Sequence, residues 1–96
     1  VLNLFGEQND LISFPMKGYT LALDFPIKRG LFQFLDELDT IVLEYGGRIY
    51  LTKDARMKKE VFWESYPGAQ EFLDIVRKYD PDKKFASLQS RRLGLS

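Results

Sequence analysis

The sequence predicts an α+β fold: a small antiparallel sheet with helices on one face and further helices toward the C-terminal end. Three observations support this. The stretch Tyr19-Thr20-Leu21-Ala22-Leu23-Asp24-Phe25 alternates with period two, as a half-buried strand does. Leu31, Phe34, Leu35, Leu38, Ile41, Val42 and Tyr45 recur at helical spacing and form one apolar stripe. A hydrophobic fraction of 45% against 29% charged residues, over 96 residues, is the balance of one globular domain.

The elements follow in order. Val1 to Phe5 reads as a short strand ended by Gly6, and Glu7 to Asp10 as a polar turn. Leu11 to Phe14 is apolar and stops at Pro15. In the alternating strand, Tyr19, Leu21, Leu23 and Phe25 share the apolar face and Thr20, Ala22 and Asp24 the other, with Pro26 limiting pairing beyond it. The amphipathic helix runs from about residue 30 to 45, and Gly46-Gly47 stops it through a left-handed turn. Arg48 to Thr52 is rich in β-formers and is expected as a strand. Two more helices are expected, Met57 to Tyr66 and Gly68 to Tyr79, the second with Phe72, Leu73, Ile75, Val76 and Tyr79 inward and closed by Asp80-Pro81. The tail from Phe85 to Ser96 is weakly patterned. The order resembles part of a split βαβ, ferredoxin-like layout with extra C-terminal helices.

Composition excludes several chemistries. With no Cys there are no disulfides, thiolate nucleophiles or thiolate metal sites, and with no His the usual general base and zinc ligand are absent. No metal site is expected. Fourteen basic residues balance fourteen acidic ones, which gives no electrostatic footprint for nucleic acid. No apolar run approaches the roughly 18 residues of a membrane span. The cytoplasm is the expected location, with peripheral membrane attachment as the alternative.

Three clusters remain. Lys53-Asp54-Ala55-Arg56 follows the Gly46-Gly47 turn and its strand, where charged groups are often presented; from the residues alone, a helix cap followed by solvated charges is the commoner explanation. Ser90-Arg91-Arg92 could grip an anion or be a solvated basic terminus. Phe62, Trp63 and Tyr66 form an aromatic cluster, expected in the core or at an interface, where a fragment dimer could form. Asp36, Glu37 and Asp39 read as a solvated helix face. The chain opens with Val1 directly in a strand pattern, so a piece of a longer protein is expected.

Five stretches in register carry a family resemblance: Leu11-Ile12-Ser13-Phe14-Pro15-Met16-Lys17-Gly18; Leu23-Asp24-Phe25-Pro26-Ile27-Lys28; Gly46-Gly47-Arg48-Ile49-Tyr50-Leu51-Thr52-Lys53-Asp54-Ala55-Arg56; Asp80-Pro81; and Phe85-Ala86-Ser87 with Ser90-Arg91-Arg92-Leu93. Together they resemble the C-terminal end of FAD-linked oxidases of the vanillyl-alcohol-oxidase type, nearest the decaprenylphosphoryl-ribose oxidase and aldonolactone oxidase branch. The resemblance implies that residues 1 to 47 are the end of a substrate-covering cap domain. Residues 48 to 96 are then a segment returning to an N-terminal FAD-binding domain that lies outside this chain. It implies FAD as cofactor of the full-length protein, and oxidation of a CH–OH group in a sugar, aldonolactone or polyol.

By the same resemblance, Tyr50 contacts the flavin, and Lys53 lies beside the flavin ring and the substrate as the catalytic residue. Asn3, Thr20 and Ala22 line the substrate pocket. Ala22 stands where the mycobacterial members carry a Cys, and Asn3 where that branch carries a Lys. The alternative reading is a stand-alone ferredoxin-like interaction or ligand-binding module. The 96-residue chain alone is expected to be inactive and colourless, because contacts at one edge of the ring are too few to retain FAD. Flavin absorbance copurifying with it in stoichiometric amount would contradict this.

Overall fold

The computed structural model describes all residues, Val1–Ser96. It is α+β: strands β1 (Leu2–Phe5) and β2 (Gly18–Leu21), then helices α1 (Leu31–Glu44), α2 (Lys59–Ser65), α3 (Ala69–Tyr79) and α4 (Leu88–Leu93). The strands pair antiparallel, with Leu2 opposite Leu21, Asn3 opposite Thr20, Leu4 opposite Tyr19 and Phe5 opposite Gly18. No helix is long and apolar enough to cross a membrane.

Helix α1 occupies the span its periodicity predicts. Gly46 stops it at φ 72°, and the amides of Gly46 and Gly47 donate to Leu43 O (3.0 Å) and Val42 O (2.8 Å). The core, however, lies elsewhere. Met57, Phe62, Tyr66, Ala69 and Leu93 form it, with Ile12, Ile49, Leu51 and Trp63 packed around them. Fully burying residues such as Met57 and Phe62 contributes about 1.5–3 kcal/mol apiece. Phe62 and Tyr66, four apart on one side of α2, stack at 5.2 Å. Trp63 donates its indole N–H to Leu93 O at 2.7 Å. The aromatic cluster is therefore internal to the chain rather than an exposed interface. Gly68 permits a close approach of the N-terminal loop: a Cβ there would lie 2.2 Å from Leu11 O.

Several expectations are corrected. Strand β2 spans Gly18–Leu21, shorter than the predicted Tyr19–Phe25, with Ala22 still bonded to Val1 through its amide and carbonyl. Its apolar face is exposed: Leu2, Leu4, Tyr19 and Leu21 stand outward, and Leu23 is also exposed. Residues 48–52 form an extended segment and turn rather than a strand. On α3, Leu73 is buried but Ile75 and Tyr79 are exposed. The tail is not irregular: α4 begins at a capping box in which Ser87 and Ser90 bond each other's backbone amides.

The acidic face of α1 is the largest departure. Asp39 is its one buried residue. The Arg56 guanidinium meets it bidentately at 2.8 and 2.9 Å, and also donates to Asp36 (2.8 Å) and Leu35 O (3.3 Å). These bonds, Asp39's first, hold the Arg56 pKa above its ordinary value despite burial. Of the predicted apolar stripe, Leu31, Leu35, Leu38 and Val42 are half-buried and Phe34, Ile41 and Tyr45 exposed, so the Arg56 contacts anchor α1 alongside partial packing. Arg56→Met leaves the Asp39 carboxylate buried and unpaired, and is expected to cost about 3–5 kcal/mol in urea unfolding. Asp39→Leu combined with Arg56→Met should recover most of that loss.

Candidate functional site

The segment Gly47–Tyr50 leaves α1 without regular structure and lies beside the loop that follows β1. Arg48 pins it there. Its Nη1 donates to Ser13 O (2.7 Å) and its Nε to Ser65 O (3.1 Å), at the C-terminal residue of α2, where a cation is favoured. The Tyr66 hydroxyl, reaching up from the core, donates to Ile49 O at 2.7 Å. Next along, Tyr50 meets Phe14 edge-on with ring centres 5.1 Å apart, and Phe14 meets Phe5 of β1 at 6.3 Å. These three rings join the segment to the sheet.

Between them lies a cleft of about 760 Å³. The sheet supplies one wall. Asn3 and Thr20 are directly opposite in the ladder, so their side chains share a face, and Ala22, two residues on, shares it too. The Ala22 amide continues the pairing to Val1 O at 2.9 Å. Val42, Gly47, Ile49 and Tyr50 supply the facing wall, and Phe14, Pro15 and Met16 close one side. The lining is mainly apolar, with a few polar groups, the usual make-up of a small-molecule pocket.

Asn3, Thr20, Ala22 and Tyr50 therefore come together in one cleft. Lys53 is not among its lining residues. It sits on the exposed turn at residues 52–53, and its ammonium has neither an ion pair nor a hydrogen bond. The other members of the charged cluster are committed to the fold. Arg56 clamps α1, and the Asp54 carboxylate caps the amides of Arg56 (3.2 Å) and Met57 (2.8 Å) while accepting from Arg92. Arg91 is exposed and Arg92 is not, so the tail's basic pair divides between solvent and structure. Sequence reasoning missed Phe5, Phe14 and Ile49 as cleft residues; only their apolar character marked them, and that fits a core equally well.

No family model matches the chain. Over 96 residues it is 49% identical to decaprenylphosphoryl-beta-D-ribose oxidase of Mycolicibacterium smegmatis, a match covering 99% of this chain and 21% of that protein. The chain is a relative of one segment of that oxidase. It is also 40% identical over 85 residues to an uncharacterised protein of Streptomyces coelicolor, covering 88% of this chain and 23% of the other. The chain thus spans between a fifth and a quarter of the length of these relatives. The likeness to the decaprenylphosphoryl-ribose oxidase branch, carried by five stretches of sequence, extends over nearly the whole chain.

Burial pushes the Tyr66 phenol up to about 12, with the nearby Arg48 charge offsetting part of the rise. An unfolded tyrosine ionises near 10. Between these values the fold retains a proton that the unfolded chain has released, so Tyr66's contribution is complete below about pH 10 and is lost toward pH 12. Tyr66→Phe is expected to cost about 1 kcal/mol at neutral pH, from the lost bond to Ile49 O. It should also flatten the fall in stability between pH 10 and 12. Parallel alkaline unfolding curves for the two proteins would contradict this.

Proposed function

We propose that the chain is the flavin-facing and substrate-facing part of a FAD-dependent oxidoreductase that oxidises a CH–OH group of a sugar, an aldonolactone or a polyol. Residues 1 to 47 end the cap domain and residues 48 to 96 return to the FAD-binding domain. One observation carries the reading: the substrate-pocket positions Asn3, Thr20 and Ala22 and the flavin position Tyr50 line a single cleft, in a chain half identical to a segment of an oxidase. The exposed face of Leu2, Leu4, Tyr19 and Leu21 is where the rest of a longer protein would pack.

In this reading the cleft takes the ring end of the cofactor and not its phosphates. Phe14, Ile49 and Tyr50 give apolar surface, with Asn3 and Thr20 as polar groups. The Gly46-Gly47 amides are already spent on the end of α1, so this turn is no cradle for a pyrophosphate. The phosphates and adenine belong on another domain. Arg48 is likewise engaged on two carbonyls and serves as a strut for the wall rather than an anion hook.

Bound FAD supplies the electron-accepting ring that takes two electrons from the carbinol carbon. This chain supplies the surroundings. The Tyr50 ring, on the cleft wall, would offer the cofactor an apolar contact. Lys53, a cation with no internal partner, is free to stabilise negative charge that develops on the substrate oxygen or at the ring's carbonyl edge once water is excluded. An amine desolvated by the rest of the full-length protein can also accept the hydroxyl proton.

In the full-length protein Lys53→Ala is expected to slow flavin reduction roughly 100- to 1,000-fold, or about 3–4 kcal/mol, with FAD occupancy unchanged. Lys53→Arg should recover only part, because the guanidinium differs in shape and cannot act as a base at neutral pH. Single-turnover bleaching of bound FAD in stopped flow, with sugars, aldonolactones and polyols as trial substrates, measures both. A Lys53→Ala protein reduced at the native rate would leave Lys53 a surface charge.

A further inference from the structure

We infer that α4 is a splint for the Lys53 turn, with Gln89 and Arg92 acting as positioning residues; this rests on the role proposed for Lys53. Gln89 and Arg92 are three apart, so both face the same side of α4. Gln89 Nε2 donates to Leu51 O at 2.7 Å, and Arg92 Nη2 donates to the Asp54 carboxylate. The two bonds fall on either side of Thr52 and Lys53. The turn's own bond, Asp54 N to Leu51 O at 3.2 Å, closes it.

What is held differs from what is left free. The Asp54 side chain is 4% exposed, and both its oxygens are occupied. Asp54 is Lys53's nearest sequence neighbour of opposite charge, yet its carboxylate goes to Arg92, 38 residues away. Lys53 is therefore fixed through its backbone and unpaired at its ammonium. A flexible surface lysine would need none of this.

The device is also a costly one for stability alone. A helix of six residues does not stand by itself in water. Helix α4 is secured by its capping box, by buried Leu93 and by the Trp63 bond to Leu93 O. A largely desolvated ion pair adds little net stability, and Arg92 Nε is buried with no partner. What the arrangement does provide is attachment: the turn between cleft residue Tyr50 and buried Met57 is tied to α4 at two points.

The test uses the full-length FAD protein and has two readouts. In the first, backbone amide exchange, Arg92→Met should speed exchange at Asp54, Arg56 and Met57 and leave α3 unchanged. The second is a double-mutant cycle on flavin reduction at saturating substrate. Arg92→Met alone should slow reduction roughly 10- to 100-fold with little change in substrate affinity, as expected for a displaced group. In the Lys53→Ala background the same change should cost less than about twofold, since two residues acting through one group are not additive. Gln89→Ala should reproduce both effects more weakly, and replaces Arg92→Met if that protein does not fold. Equal slowing in both backgrounds, or unchanged exchange at residues 54–57, would overturn the splint while leaving Lys53's role standing. Native-rate reduction by Lys53→Ala would overturn both.

Discussion

One guanidinium holds the two halves of this chain together. Arg56 reaches across to α1 with four hydrogen bonds, two of them to a carboxylate that is almost fully buried. The core of Met57, Phe62, Tyr66, Ala69 and Leu93 contains no residue of α1 or the sheet. Helix α1, whose apolar residues are only half-buried, relies on this charge contact, and the next parts of the chain follow from it: the Gly46 stop, the Gly47–Tyr50 segment and one wall of the cleft. A buried pair is a poor source of net stability but a strong determinant of register, since breaking it strands a charge. Here the register it sets is the distance between the sheet wall and the segment wall.

A second set of contacts works in the same way at smaller scale. Tyr66, Gln89 and Arg92 each give a side-chain donor to the backbone or a carboxylate of the irregular segment Gly47–Met57, and Arg48 ties that segment back to Ser65 O of α2. Donors from the helical side thus replace the ladder bonds that a sheet would provide. The segment carrying Tyr50 and Lys53 is irregular in shape but not in partners: the carbonyls of Ile49 and Leu51 are both taken.

This explains which features the sequence revealed. Local rules sufficed where local physics decides. The 3.6-residue stripe located α1, Gly46-Gly47 its end, and period-two alternation put Thr20 and Ala22 on one face. Local rules failed where a distant partner decides. Asp39 looks like a solvated acid until Arg56, 17 residues on, is brought to it. Arg48–Thr52 has strand propensity, but no strand pairs with it, and the carbonyls of Ile49 and Leu51 are bonded by side chains. The apolar face of β2 is bare within this chain, although its alternation reads as half-buried. Helix α4 was hidden because its capping box uses Ser90 where the usual signal is Glu or Gln. The site residues were legible only through the family resemblance; nothing in composition separates Lys53 from its neighbours Asp54 and Arg56. The structure does separate them, by assigning the other two to the fold.

Lys53, on this account, stands free in order to act on the flavin's charge. The midpoint potential of FAD in the full-length protein tests this without any substrate. A nearby cation favours the more negative reduced ring, and for a two-electron couple about 30 mV corresponds to 1.4 kcal/mol. Lys53→Ala should therefore lower the potential by about 30 mV or more, with Lys53→Arg close to native. A potential unchanged in Lys53→Ala would place the ammonium out of range of the ring and contradict the account.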